Sequence, residues 1–324
     1  MSNSSRRGGL SGRIASLPGR RLALALAMLL VLVALVPTAP PALGGAHPGT
    51  AVPYTGNPRA TPAPVNETGA LLPKYRIISY YGFPGNQLMG ILGEYDKDTL
   101  YAKLQDQAAA YQAADPSRPT MLAFEVIASV AQADPGTDGL YLSHTDPSIL
   151  NEYADYTAAH NMILLLDVQF GRDTIQNEID AVRPWLQRPN VQLALDPEFH
   201  VAAGEKPGVD LGSIPASWIT YAQQQLVQIS QQYHLPPKIL LVHQFRISMI
   251  QDRDQLSAIP GVQLVLNADG FGDPGLKTTV YGQLVQAGVP QFIGVKLFYK
   301  QDDPLMTPEQ ILGLTPAPDV VIYQ

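Results

Sequence analysis

Eight short apolar segments, separated by stretches with helical periodicity, constrain the fold of this chain more than any other feature. The segments are rich in Ile, Leu and Val, and most do not alternate with polar residues, as expected when both faces of a parallel sheet are covered. They begin near Tyr75, Thr120, Met162, Val191, Lys238, Val262, Phe292 and Asp319. The sequence therefore predicts a parallel sheet of eight strands.

Helical patterns fill the intervals between these segments. Leu100, Leu104 and Ala108 recur at the spacing of one helix face, and similar series start at Ile175 and at Trp218. Strands and helices that alternate to a count of eight strands are typical of the (β/α)8 TIM barrel. Because the sequence stops just after the last strand, we predict an α/β barrel with seven helices that lacks the last one. An open, doubly wound sheet is the alternative.

The first 73 residues differ in composition from the rest of the chain. Five arginines precede an apolar run at residues 22–36, and small residues follow it, as in a signal peptide. This run is shorter than the roughly 20 residues of a membrane span. We predict a signal peptide or membrane anchor at 1–46, a disordered Pro/Ala/Thr-rich linker at 47–73 and the barrel domain at 74–324. The protein is then secreted or held at the cell surface, with any anchor formed by residues 22–36.

The overall composition excludes several classes of function. Hydrophobic residues make up 46% of the 324-residue chain, which allows a large core. The absence of cysteine excludes disulfides, thiolate metal sites and cysteine nucleophiles. A net charge of −7 without a basic cluster argues against nucleic acid as a partner. The glycine pattern at 270–275 lacks the acidic residue that dinucleotide binding requires about 20 positions later, so we predict no cofactor.

Polar residues gather at the carboxyl ends of the predicted strands, where the active sites of TIM barrels lie. The strand beginnings are mostly apolar, so the asymmetry favours a functional rim, although a purely structural ring of ion pairs is the alternative. The candidate site residues are Tyr80, Glu125, Asp167, Gln169, Asp196, Glu198, His243, Gln244, Asn267, Asp269, Lys296, Tyr299 and Tyr323.

Two carboxyl groups at the end of the fourth strand are the leading candidates. Asp196 and Glu198 are two residues apart on the predicted strand, so their side chains point to the same side, about 6.6 Å apart along the backbone. Two like charges at this separation raise the pKa of one group, which can then stay protonated as a general acid. We predict that Glu198 is the acid and that Asp196 orients it or stabilises a developing positive charge.

The Asp-x-Glu sequence at residues 196–198 resembles the end of the strand-four motif in chitinase-type glycosidases and in barrel-shaped muramidases. This resemblance implies that Glu198 is the proton donor in the hydrolysis of a glycosidic bond, with an N-acetyl sugar as one possible substrate. The chain departs from the chitinase pattern at Val191 and Ala194, where that family has aspartates. It also departs from the muramidase pattern on the first strand, where the muramidases carry an aspartate and this chain has Ser79.

Three functions stay open on the sequence alone. The first is an exported glycoside hydrolase for a polysaccharide or oligosaccharide, with Glu198, Asp196, Asp167 and Asp269 as catalytic groups, the other rim residues binding the sugar, and no metal. The second is a catalytically inert carbohydrate-binding barrel, which the missing motif aspartates favour. The third is a metal-dependent hydrolase, with ligands drawn from His200, His243 and the same four carboxylates. In each case we expect membrane contact only through the N-terminal segment.

Overall fold

The computed structural model describes residues 67–324 as a closed barrel of eight parallel strands. The strands are β1 (Arg76–Gly82), β2 (Thr120–Ala131), β3 (Ile163–Gln169), β4 (Val191–Asp196), β5 (Lys238–Gln244), β6 (Val262–Ala268), β7 (Phe292–Leu297) and β8 (Val320–Tyr323). The ring closes because β1 pairs in parallel with both β2 and β8. The TIM barrel predicted from the sequence is confirmed, and each strand begins at the predicted residue or one residue away. The predictions for residues 1–66 lie outside the described residues.

Within residues 67–324 the barrel carries six α-helices, where the sequence predicted seven. They are α1 (Lys97–Ala114), α2 (Pro147–Ala159), α3 (Ile175–Leu186), α4 (Ala216–Tyr233), α5 (Pro274–Gln286) and α6 (Pro308–Leu312). The connection between β5 and β6 holds only two 3-10 turns, at Ile247–Met249 and Arg253–Gln255. Part of this connection is used instead to pair Ile250–Gln251 with Ile214–Pro215 in a small parallel ladder, and no helical apolar period runs through it.

Alternate residues on each strand divide the core into two parts, because successive strand side chains point to opposite faces. Ile77, Leu165 and Leu241 belong to the cluster that fills the barrel interior. Leu166 and Val242, one position further along, pack against the surrounding helices. This alternation fixes which rim residues can enter the barrel.

The amino-terminal end of the barrel is covered by the segment that precedes β1. Leu72 is buried there, and the Gln263 side chain accepts hydrogen bonds from the backbone N–H groups of Leu71, at 2.9 Å, and Leu72, at 3.2 Å. The Glu67 carboxylate accepts from the N–H of Gly261 at 2.9 Å. Residues 67–73, which the sequence assigned to the linker, therefore pack on the base of the barrel.

No helix within residues 67–324 combines the length and the apolar character that crossing a bilayer requires.

Candidate active site at the carboxyl ends of the strands

The carboxyl-terminal end of the barrel interior is filled with charged and polar side chains. Those on the strands occupy the inward-facing alternate positions, continuing the phase set by the apolar interior residues below them, and Glu198 and Asp269 follow the ends of their strands. The group, here called the mouth cluster, contains Tyr81, Glu125, Asp167, Gln169, Asp196, Glu198, His243, Asn267, Asp269 and Lys296. Five carboxyl groups and two basic side chains thus meet at one end of the barrel, as the sequence predicted for the acids.

His243, on β5, lies at the centre of the mouth cluster and is fully buried. Its Nε2 lies 2.7 Å from Glu125 Oε1 on β2, and its Nδ1 lies 3.0 Å from Asp269 Oδ2. Burial alone would lower the pKa of the imidazole, but the carboxylates of Asp269 and Glu125 raise it more, to well above its usual range. With both nitrogens on carboxylates, the ring is held as an imidazolium.

Asp269 is the most firmly held acid of the mouth cluster. Besides His243, it accepts a hydrogen bond from Asn267 Nδ2 at 2.6 Å and lies 3.5 Å from Lys296 Nζ. Burial raises the pKa of Asp269, but His243 and Lys296 outweigh it and hold the pKa below its usual range. Asp269 is therefore a carboxylate at neutral pH.

Gly294, on β7, makes the room for the Asn267 side chain. A Cβ atom at this position would lie 2.2 Å from Asn267 Oδ1 and 3.2 Å from Val320 Cβ. Such contacts are closer than packed atoms allow, so any larger residue at 294 would displace Asn267 and with it one of the restraints on Asp269.

Lys296 and Tyr81 join the two sides of the mouth. The Lys296 ammonium lies 3.4 Å from the centroid of the Tyr81 ring, and the Tyr81 hydroxyl donates to Asp167 Oδ2 at 3.1 Å. Burial lowers the pKa of Lys296, but Asp269 and Asp196 raise it above its usual value, so the amine stays charged.

Several buried oxygen atoms in the mouth cluster have no hydrogen-bond partner among the described residues. They are Glu125 Oε2, Asp167 Oδ1 and Asn267 Oδ1. An unpaired buried polar atom costs on the order of 1–3 kcal/mol. Burial also raises the pKa of Asp167 to about 7, with His243 opposing the shift and Glu125 adding to it. These atoms point to a site that is arranged for something other than stability.

Glu198 lies just outside the barrel interior, on a 3-10 turn at Pro197–Phe199. The strand ends at Asp196, so the two acids do not share a strand face, and the sequence-based expectation on this point was wrong. Gly212 holds the turn: its N–H donates to the Glu198 carbonyl at 2.8 Å, and a Cβ there would lie 2.6 Å from that oxygen. His200 also serves the turn, with Nδ1 bonded to the Ser213 carbonyl at 2.7 Å.

The Glu198 carboxyl is half-buried and has no side-chain hydrogen bond or ion pair within residues 67–324. Burial raises its pKa to about 7, Lys296 partly offsets this, and the Asp269 charge adds to it. Burial and then the Glu198 charge raise the pKa of Asp196 well above its usual range, so the Glu198 charge acts on Asp196 despite the turn. Near neutral pH the outer part of the mouth can therefore hold a proton on a carboxyl group.

Three predicted site tyrosines face the helices and not the barrel interior. Tyr80 and Tyr323 pack edge to face in the outer core, where the Tyr323 hydroxyl bonds to that of Tyr111 at 2.8 Å. Tyr299 stacks on Tyr323, with ring centroids 5.3 Å apart, and is 38% exposed. Tyr80 and Tyr299 line a separate side pocket of about 430 Å³ beside α1, with Tyr95 on its wall.

The two predicted glutamines are also separated. Gln169 faces the interior, where its Oε1 accepts from the Ala131 N–H at 3.0 Å and its Nε2 approaches the Tyr81 hydroxyl at 3.4 Å. Gln244 lies outside the mouth cluster and accepts from Arg253 at 2.6 Å. The structure brings the remaining predicted residues together in the mouth cluster. They are Glu125, Asp167, Asp196, Glu198, His243, Asn267, Asp269 and Lys296.

Tyr81 is a functional candidate that the sequence did not single out, because Tyr80 was chosen in its place. The deciding signal is the phase of β1: Ile77 is an interior residue, so Ser79 and Tyr81 are too.

No protein-family model matches this chain, and no curated protein matches its sequence.

Proposed function

We propose that this barrel is a glycoside hydrolase with Glu198 as the proton donor. The observation that carries the proposal is the state of that carboxyl: half-buried at the barrel mouth, without a hydrogen-bond partner among the described residues, and with a pKa raised to about 7. A general acid is most effective when its pKa lies near the working pH.

The chemistry requires a proton on the leaving oxygen as the glycosidic C–O bond breaks. Protonated Glu198 supplies this proton and becomes a carboxylate, while positive charge develops on the sugar ring. A water molecule then forms the new C–O bond and returns its proton to Glu198. The reaction consumes one water molecule, restores the proton on Glu198 and needs no cofactor.

Asp269 supplies the second charge that this reaction needs. His243, Lys296 and Asn267 hold it as a carboxylate, so it is fixed in place and can stabilise the positive charge on the sugar. Asp196, the last residue of β4, lies beside the proton donor, and burial together with the Glu198 charge raises the pKa of Asp196 well above its usual range. Two carboxyl groups in opposite protonation states are the usual pattern of acid–base pairs.

The rim of the mouth supports a neutral glycan as the substrate class. Phe271, on the loop after β6, is 38% exposed and offers a ring face for stacking on a sugar. An anionic polymer would be repelled by the acids of the mouth and by the net charge of −7. The basic and then apolar leader at 1–46 supports export to the cell surface or medium.

The experiment compares the purified protein with Glu198→Gln on soluble neutral polysaccharides and N-acetylated glycan oligomers, and measures the release of new reducing ends. We expect hydrolysis by the native chain and a loss of roughly 100- to 10,000-fold in the variant, with glycan binding retained. Glu205→Gln is the matched control, because Glu205 is an exposed glutamate on the loop that follows the same strand.

Equal hydrolysis by Glu198→Gln and the native chain would refute Glu198 as the acid. Glycan binding by both proteins without hydrolysis by either would instead support the inert carbohydrate-binding barrel, for which the departures at Val191 and Ala194 speak.

A further inference from the structure

Three buried side chains, from strands β2, β3 and β5, converge on one point deep in the mouth of the barrel. Glu125 on β2, Asp167 on β3 and His243 on β5 are fully buried, and one ligand atom from each lies within 4.8 Å of the other two. His243 Nε2 is 2.7 Å from Glu125 Oε1 and 4.0 Å from Asp167 Oδ1. These separations need only small side-chain movements to reach the spacing of atoms that share one metal ion.

The hydrogen bonds inside the barrel leave this group incomplete. Glu125 Oε2 and Asp167 Oδ1 are buried and have no hydrogen-bond partner among residues 67–324, although both belong to carboxyl groups that accept hydrogen bonds at their other oxygen. A proton shared between His243 and Glu125 satisfies neither atom. A cation bound between the three side chains would supply the missing partner.

The surrounding residues are arranged as supports for metal ligands. Asp269 lies 3.0 Å from His243 Nδ1, which orients the ring with Nε2 toward the two carboxyl groups. Asn267 and Lys296 hold Asp269, and the Tyr81 hydroxyl holds Asp167 through Oδ2, which leaves Oδ1 for an ion. A carboxylate behind a histidine ligand is the common outer support of such sites.

We infer that Glu125, Asp167 and His243 bind one divalent transition-metal ion, with Zn²⁺ or Mn²⁺ as the fitting class. One imidazole and two carboxylates suit these ions better than Ca²⁺ or Mg²⁺, which prefer oxygen ligands alone. Water would complete the coordination, and the Nε2 proton of His243 would leave to the solvent when the ion binds. This site is separate from Glu198, and its existence does not depend on the proposed hydrolysis.

Calorimetric titration of the EDTA-treated, desalted protein with Zn²⁺, and separately with Mn²⁺, tests the inference. We expect one ion per chain with at least one of the two ions, and an affinity reduced about 100-fold or more in Glu125→Gln and in Asp167→Asn. Asp269→Asn should weaken binding roughly 10- to 100-fold, because it removes the support and keeps the three ligands. Glu198→Gln is the matched control at the same mouth and should bind the ion like the native chain.

Absence of binding by the native protein, or equal affinity in Glu125→Gln and Asp167→Asn, would overturn the metal site. Circular dichroism of each metal-free variant establishes that it is folded; if Glu125→Gln does not fold, the affinities of Asp167→Asn and Asp269→Asn decide. Failure of the two proposals is distinguishable: a native chain that binds metal without hydrolysing glycans refutes only the proposed function, and one that hydrolyses glycans without binding metal refutes only the site.

Discussion

The two ends of the barrel both bury polar side chains, but they treat them in opposite ways. At the base, Lys238 donates to the carbonyls of Arg188 and Val191, and Gln263 makes three hydrogen bonds with the backbone of residues 71 and 72. At the mouth, carboxylate and amide oxygens of Glu125, Asp167 and Asn267 are buried and unpaired, which occurs for no other carboxylate or amide oxygen within residues 67–324, and Arg118 Nε is the one unpaired buried atom at the base among these residues.

This difference assigns stability to the base of the barrel and function to its mouth. Hydrogen bonds to the backbone, as at the base, lower the free energy of the folded state and have no further capacity for a ligand. A site that gathers like charges and unpaired oxygens is costly in the folded state and is kept for what it binds or transfers. Substitutions at the mouth should therefore change activity, and substitutions at the base should change stability.

The largest expected effect is the loss of activity in Glu198→Gln without a loss of stability. The variant removes the transferable proton, so kcat should fall roughly 100- to 10,000-fold, while the free energy of unfolding stays equal or rises because a poorly solvated acid is gone. Kinetics of glycan hydrolysis together with urea unfolding measure both quantities. A variant that is markedly less stable than the native chain would place Glu198 with the structural residues.

The base should show the reverse behaviour in Gln263→Leu. This change leaves the N–H groups of Leu71 and Leu72 and the Leu72 carbonyl without their side-chain partner, which should lower the free energy of unfolding by about 3 kcal/mol. Activity per folded molecule should stay unchanged. Gln286→Leu, at an exposed glutamine of α5, is the control and should alter stability by less than about 0.5 kcal/mol. If the two variants changed the free energy of unfolding equally, the hydrogen bonds between Gln263 and the segment before β1 would add no stability.

Lys238 gives the base a pH dependence with a defined sign. Burial lowers the pKa of Lys238 to about 7 in the folded chain, whereas it is near 10.5 when unfolded. Between pH 7 and 9 the unfolded state then binds more protons, so the free energy of unfolding should rise with pH. Lys238→Met should remove a rise on the order of 2 kcal/mol, and Lys206→Met, at an exposed lysine, should not. A native chain with the same slope as Lys238→Met would contradict this assignment.

The smallest expected effect concerns the packing behind the mouth, in Gly294→Ala. The added Cβ would meet Asn267 Oδ1 at 2.2 Å, so Asn267 must move away from Asp269, with a cost of about 1–2 kcal/mol in stability and a lower kcat at little change in KM. Gly282→Ala is the control, because a Cβ there has open space and alanine favours the helix. Unfolding and steady-state kinetics on both variants check this; unchanged kinetics in Gly294→Ala would show that Asn267 does not position Asp269.

The sequence predicted the barrel because its signal is local and repeated. Segments such as 163–169 and 238–244 are apolar throughout most of their length, and this follows directly from burial on both faces. The link between β5 and β6 was predicted to be a helix from the regularity of the other connections alone, and there the prediction was wrong. Regularity of the fold does not determine the content of a single connection.

The mouth was predictable in part, because the acids follow the strands directly in the sequence. Which side a rim residue faces depends on the phase of its strand. The sequence did not show which of the two adjacent tyrosines on β1 faces the interior, because that requires the interior position of Ile77 to be known. The base was not predictable, because Lys238 and Gln263 find their partners among backbone groups of distant segments. Every residue has a backbone carbonyl, so the sequence does not show which carbonyl will accept a side-chain hydrogen bond.

The most direct test of the barrel mouth as a proton-donating site is the titration of the Glu198 carboxyl in the metal-free protein by carbon NMR, with Glu198→Gln assigning the signal. We expect a midpoint near pH 7, because burial and neighbouring acids hold the proton on this group. A midpoint near the ordinary value of 4.5 would mean that Glu198 is ionised at neutral pH, and it would contradict the proposed role of this carboxyl.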